Sequence, residues 1–132
     1  MASYRQKRAN QGWVSEHFRY SEFACPCCNV NAVQLRLVDA LERLRRKCGN
    51  APIHITSGFR CWSWNEIVGG VPKSRHCAGE AADIVVVGFH PLEVAAAAER
   101  IEVFSHGGIG VYPDRGFVHL DVRHGGPARW SE

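Results

Sequence analysis

No apolar run in this 132-residue sequence reaches the roughly 18 residues that a bilayer-spanning helix requires. The basic opening, with Arg5, Lys7 and Arg8, has no apolar stretch behind it, so the pattern of a secretory signal peptide is missing too. The expectation is a chain made in the cytoplasm and associated with no membrane. Internal repeats, low-complexity tracts and a break in composition are also lacking, which points to one domain over residues 13–132. Residues 1–12 are polar and basic without a hydrophobic period and read as a disordered arm. Charge is only mildly unbalanced: the net +3 gathers at Arg5 to Arg8 and at Arg43, Arg45, Arg46 and Lys47. With no recognised base-reading motif, those groups read as a solvated surface, and no nucleic acid partner is expected.

What is present suffices for a packed core, since 45% of the residues are hydrophobic. Six cysteines are many for a reduced protein; Cys25, Cys27 and Cys28 crowd together while Cys48, Cys61 and Cys77 are scattered. Without a secretion signal they are expected as thiols. A structural zinc drawing on both groups is an alternative, although the string read as Cys-x-Cys-Cys lacks the two-residue gap usual for zinc ligands.

Hydrophobic spacing outlines the elements. Val33, Leu37, Leu41, Leu44 and Cys48 recur at three and four, predicting a helix from Asn31, its cap, to Cys48, with Gly49 as the stop. Trp13, Phe18, Tyr20 and Phe23 read as a loop pinned to the core by its rings. Residues 52–57 alternate and are β-branched, predicting a strand that ends at Gly58; a short helical turn is expected over 61–68. Residues 81–87 form a nearly continuous apolar run, the mark of a buried strand. Pro91 to about Phe104 predicts a second helix, and 109–112 with 117–122 a hairpin around Pro113 to Gly116. Trp130 is expected to fold back onto the body.

The chemically dense stretch is Ser74-Arg75-His76-Cys77-Ala78-Gly79-Glu80-Ala81-Ala82-Asp83. Zinc accepts imidazole nitrogen and carboxylate oxygen at about 2.0–2.2 Å, and a catalytic site uses three protein ligands with a place left for water. His76 and Asp83 supply two, and His119, on the expected strand Phe117 to Val122, is the best third. An acid buried at Asp83 needs a cation facing it, a metal or an arginine. Asp121 shares the face of His119, about 7 Å along the strand. It could orient a ligand, take a proton from water, or pair with Arg123 or Arg60. Arg60, just past a strand end, suits capture of a carboxylate or an oxyanion, and equally an ordinary ion pair. His54, alone on the polar side of its strand, reads as packed or exposed.

Four segments in order, Ile55-Thr56-Ser57-Gly58-Phe59-Arg60, then Asn65 with Gly69-Gly70, then Ser74-x-His76-x-x-Gly79-x-Ala81-x-Asp83, then Phe117-Val118-His119-Leu120-Asp121, cover about half the chain. In these the chain resembles the zinc D-Ala-D-Ala carboxypeptidases and their phage endolysin and vancomycin-resistance dipeptidase relatives, a fold shared with the Hedgehog signalling domain. The resemblance implies a small α+β domain, a mostly antiparallel sheet with flanking helices and a zinc cleft on the sheet. It implies Zn2+ held by His76, Asp83 and His119, with Arg60 and Ser74 contacting the peptide to be cut. The implied substrate is the D-alanine-containing stem peptide of bacterial peptidoglycan, cut by a carboxypeptidase or endopeptidase. Taken with the missing signal peptide, the expectation is a monomeric phage or prophage lysin, or a virion component, reaching the wall after release.

One departure stands out. Several relatives carry a catalytic glutamate three residues before the last histidine ligand, where this chain has Gly116. Asp121 is then the first choice as base, with Asp114 and His106 behind it. In another relative pattern a histidine occupies the place of Phe117, whose ring could line the cleft with Trp62, Trp64 and Tyr112, the last as a substrate contact. Gly116 also favours the alternative of a zinc-stabilised binding domain that has lost turnover.

Overall fold

The computed structural model describes residues 12–132. The expected arm lies outside the described residues, Gly12 apart. Five strands form one sheet in the order β1-β2-β4-β3-β5: β1 Ile53–Ser57, β2 Ala81–Val86, β3 Gly108–Tyr112, β4 Phe117–Asp121 and β5 Ala128–Ser131. All pairings are antiparallel except β3 with β5. The helices are α1 Leu35–Lys47, α2 Trp62–Ile67, α3 Pro91–Ala98 and α4 Glu102–Ser105. The fold is thus α+β with a mostly antiparallel sheet.

Alternation along the two central strands makes the two faces of the sheet chemically different. Ala82, Ile84 and Val86 of β2 and Val118 and Leu120 of β4 enter one core with Leu37, Leu41 and Leu44 of α1 and Val94 and Ala98 of α3. Each leucine, isoleucine or valine among them contributes about 1.5–3 kcal/mol by leaving water. The intervening residues, Asp83 on β2 and His119 and Asp121 on β4, face the other way. Asp83 lies directly opposite His119 in the ladder, so the two side chains stand side by side.

Several boundaries differ from expectation. Helix α1 begins at Leu35 and is not capped by Asn31, because the chain before it passes close to Gly79, whose missing Cβ admits the Ala32 carbonyl, and is still extended at Gln34. Asn31 is instead fully buried, and its side-chain amide has no hydrogen-bond partner among the described residues. The second predicted helix is two. The chain leaves α3 after Ala98 so that Ile101, in an extended conformation, and Phe104 can both enter the core. Phe18 and Phe23 are buried as the aromatic loop predicts, whereas Trp13 is half exposed under the Arg19 guanidinium. The segment carrying Trp130 does fold back, as β5, parallel to β3.

Candidate metal centre

Each of the three clustered side chains is fixed by a local device. His76 sits in a 3-10 turn, Arg75–Ala78, whose cap is the Ser74 hydroxyl accepting from the His76 N–H at 3.2 Å. Gly79 closes that turn at φ +71°, a conformation glycine adopts without strain, and leads into β2. Asp83 and His119 are placed by the β2–β4 register.

The imidazoles of His76 and His119 meet edge to face, 5.2 Å between centroids. Asp83 Oδ1 lies 3.2 Å from His76 Nε2 and 3.1 Å from His119 Nδ1. Tetrahedral ligands at zinc bond lengths stand about 3.3–3.5 Å apart, so the spacing suits that ion. All three residues are buried.

The outer nitrogens settle the tautomers. His76 Nδ1–H donates to the Gly58 carbonyl at 2.8 Å, and His119 Nε2–H donates to Asp121 Oδ2 at 2.8 Å, since both partners only accept. The nitrogens facing Asp83 are then bare in the neutral rings, and lone pairs confront a carboxylate. Only a cation, a proton or a metal, reconciles them. The electrostatics say the same. Burial alone would raise the Asp83 carboxyl, but hydrogen bonds and charge from His119 and His76 hold it well below the usual carboxylate range. Burial would lower the His119 imidazole, yet Asp121 and Asp83 raise it.

Arg60 completes the surroundings of Asp83. Its Nη2 approaches the other oxygen, Oδ2, at 3.5 Å, while Nε donates to Ser57 Oγ at 3.2 Å and Nη1 to Asn65 Oδ1 at 3.1 Å. Asn65 is itself buried and donates to the Val71 carbonyl at 3.0 Å. Of the two cations expected to face Asp83, a metal or an arginine, the arginine is in place as Arg60.

Asp121, the first choice as base, does not line the cleft. It is wholly buried, with Oδ2 accepting from His119 and Arg123 Nη2, and Oδ1 from the Gly108 N–H, the Arg123 N–H and Arg123 Nε, at 2.7–3.1 Å. Both oxygens of this carboxylate are thus engaged by N–H groups, one of them on the His119 ring. Asp114 and His106, the other choices, are both exposed and neither lines the cleft. Gly116 turns the hairpin at φ +80°, which a glutamate would adopt only with strain.

The cluster floors a cleft of about 570 Å³. Ser74 and Tyr112 line it as expected, and Tyr112 is stacked on Phe117 at 4.4 Å. Trp62 is exposed and lies away from it. Trp64 lines an adjoining groove of about 420 Å³, which shares Arg60, Asp83, Arg115 and Phe117 with the cleft. Lys73, Arg75, Arg115, Arg123, Trp130 and Glu132 also line the cleft and were not anticipated. The signal for Trp130 was Gly110. A Cβ there would stand 2.3 Å from the Trp130 ring, which packs 4.9 Å from His119 and donates from Nε1 to the Tyr112 hydroxyl at 2.8 Å.

A buried two-histidine, one-aspartate cluster on a sheet, with ordered outer partners and an open cleft in front, is the arrangement of a metallohydrolase. Residues 16–121 match the family model described as Peptidase M15, and the chain belongs to that family. It is 32% identical over 106 residues to the peptidoglycan L,D-endopeptidase MepK of Escherichia coli K12, covering 76% of this chain and 55% of the relative. It is 35% identical over 85 residues to a probable peptidoglycan L,D-endopeptidase MepK of Haemophilus influenzae, covering 61% and 42%. Over 44 residues it is 43% identical to the zinc D-Ala-D-Ala carboxypeptidase of Streptomyces albus G, covering 33% and 17%. The chain thus spans about half the length of the MepK relatives it matches.

Proposed function

We propose that this chain is a zinc-dependent endopeptidase acting on the peptides of bacterial peptidoglycan. The observation that carries the reading is the convergence of His76, Asp83 and His119 beneath a cleft that continues past Arg60 and Asp83 into a second groove. A substrate can extend to both sides of the cluster, as cleavage of an internal bond requires; a carboxypeptidase needs room for only one terminal residue beyond it. The longer matches to endopeptidases support the same choice. Charge agrees: Arg60, Lys73, Arg75, Arg115 and Arg123 line the cleft against Asp83 and Glu132, a lining suited to stem peptides that carry several free carboxylates.

His76, Asp83 and His119 would hold the zinc, which when bound would supply a Lewis acid for the scissile carbonyl and lower the pKa of water. Gly58 and Asp121 keep the two rings in the tautomers that binding needs. Arg60 has five N–H donors; those not used on Ser57, Asn65 and Asp83 are left for a carbonyl oxygen or a carboxylate of the peptide. The Tyr112 hydroxyl accepts from Trp130 and keeps its hydrogen for substrate. Ser74 likewise accepts from His76 and retains a proton to donate. Glu132 follows β5 directly, its N–H donating to the Val111 carbonyl at 2.9 Å, and is the carboxylate besides Asp83 among the described cleft residues. It is assigned the proton lost from water.

Digestion of purified peptidoglycan with zinc present, followed by mass analysis of the fragments, tests the reading. Peptides split at an internal bond are expected. Release of terminal D-alanine alone would replace the endopeptidase by a carboxypeptidase, and no cleavage would end the peptidase assignment. Glu132→Gln should keep the metal and lose turnover; unchanged turnover would remove Glu132 from the mechanism.

A further inference from the structure

Away from the cleft, Cys25, Cys27, Cys28 and Cys61 bring four sulfurs within 4.8 Å of one another. Cys25 Sγ lies 3.8 Å from Cys27 Sγ and 3.7 Å from Cys61 Sγ, and Cys27 and Cys61 are 3.2 Å apart. Four thiolates around a tetrahedral zinc, each at about 2.3 Å, stand about 3.8 Å from one another. Cys25 and Cys28 do have the two-residue gap of zinc ligands, with Cys27 between them as an additional donor. The loop is shaped for convergence: Asn29 N–H donates to the Cys25 carbonyl at 2.7 Å, Cys25 N–H to the Val30 carbonyl at 2.8 Å, and Asn29 adopts φ +63°. Backbone N–H groups are also aimed at sulfur, from Cys61 to Cys25 Sγ at 3.5 Å and from Trp64 to Cys61 Sγ at 3.4 Å, where they offset negative charge.

We infer that Cys25, Cys27, Cys28 and Cys61 form a second metal site, a tetrathiolate centre for zinc. Four protein donors leave no open position, so the site is structural. Cys48, in the main core, and Cys77 take no part in it. Binding replaces thiol protons, which pass to solvent, by bonds to the ion.

Its place in the fold gives it a task. Two threads meet here, the loop after Phe23 and the segment Gly58 to Cys61. Phe59 N–H donates to the Phe23 carbonyl at 2.9 Å, and a Cβ on Gly58 would stand 2.6 Å from Phe23 Cα. The second thread serves the cleft directly: the Gly58 carbonyl fixes His76, Arg60 N–H donates to the His76 carbonyl at 3.2 Å, and Arg60 precedes the ligand Cys61. Clamping Cys61 to the 25–28 loop holds Arg60 and the His76 ring in register.

The test is loading the reduced, metal-free protein with Co2+ under anaerobic conditions. Wild type is expected to bind two equivalents and to show intense sulfur-to-cobalt charge-transfer absorption in the near ultraviolet. His76→Ala should bind one equivalent and keep that absorption, which separates this site from the catalytic reading. Cys61→Ser should lose it, and Cys77→Ser should not. Absence of the band in wild type, or its survival in Cys61→Ser, would overturn the inference. Should Cys61→Ser fail to fold, thiol counting on wild type decides. Four thiols shielded by zinc and freed by a chelator support the site; a count two short after chelation, the mark of a Cys27–Cys61 disulfide, overturns it.

Discussion

Replacing Asp121 by asparagine distinguishes an orienting carboxylate from a catalytic one. The wild-type side chain accepts from five N–H groups, two on Oδ2 from His119 and Arg123 and three on Oδ1 from Gly108 and Arg123. An amide offers one oxygen, so its NH2 must face either the His119 pair or the Gly108 set, donor against donor. Because the site is wholly buried, water cannot relieve the conflict. If the NH2 faces His119, the ring loses the partner that fixes its tautomer and raises its basicity. Loss of such outer partners costs about 10- to 100-fold in metal affinity, or roughly 1.4–2.8 kcal/mol. Arg123 also loses its counter-charge, although its partial exposure limits that part. Competition with a chelator gives the zinc affinity, and turnover at saturating zinc gives the rest. The expected variant binds zinc more weakly and recovers most of its turnover when zinc is raised. A variant with wild-type zinc affinity and abolished turnover would refute the reasoning and return Asp121 to the role of base.

Two further outcomes follow from the packing and the charges. Gly110→Ala places a methyl 2.3 Å from the Trp130 ring, so urea unfolding should show a loss of about 1–3 kcal/mol; unchanged stability would mean that β5 does not pack there. Glu42 is buried, and although burial would raise its carboxyl, hydrogen bonds from Ser15 at 2.5 Å and from the His17 ring and N–H at 2.7 Å hold it below its ordinary 4.5. A carboxyl lowered by folding contributes stability that is complete above the unfolded value and is lost as pH falls through the folded one. The urea midpoint should therefore decline below about pH 4.5, and less steeply in Glu42→Gln; parallel declines would remove Glu42 as a cause.

The convergence of the candidate metal ligands was legible because its parts are local or patterned. His76 and Asp83 lie seven residues apart around a glycine turn, and His119 stands on a strand whose alternation is plain. For Asp121 the pairing with Arg123 was among the readings the sequence offered, whereas its bond from the Gly108 N–H depends on a neighbouring strand and was not legible. Trp130 was expected to fold back, but its place in the cleft, and that of Glu132, were not legible for a similar reason: β5 is four residues long and joins the sheet by a parallel pairing that its sequence does not announce. The break between α3 and α4 hides in a stretch of good helix formers, because burial of Ile101 outweighs local propensity. The cysteine cluster was half visible, as Cys25 to Cys28 are neighbours while Cys61 arrives 36 residues from Cys25.

The most direct test of the account is the zinc dependence of peptidoglycan cleavage, followed as new amino groups released by wild type and by His76→Ala. Release should stop when wild type is stripped by a chelator, return when zinc is restored, and stay absent in His76→Ala at any zinc concentration. Release that survives chelation, or that His76→Ala sustains, would contradict it.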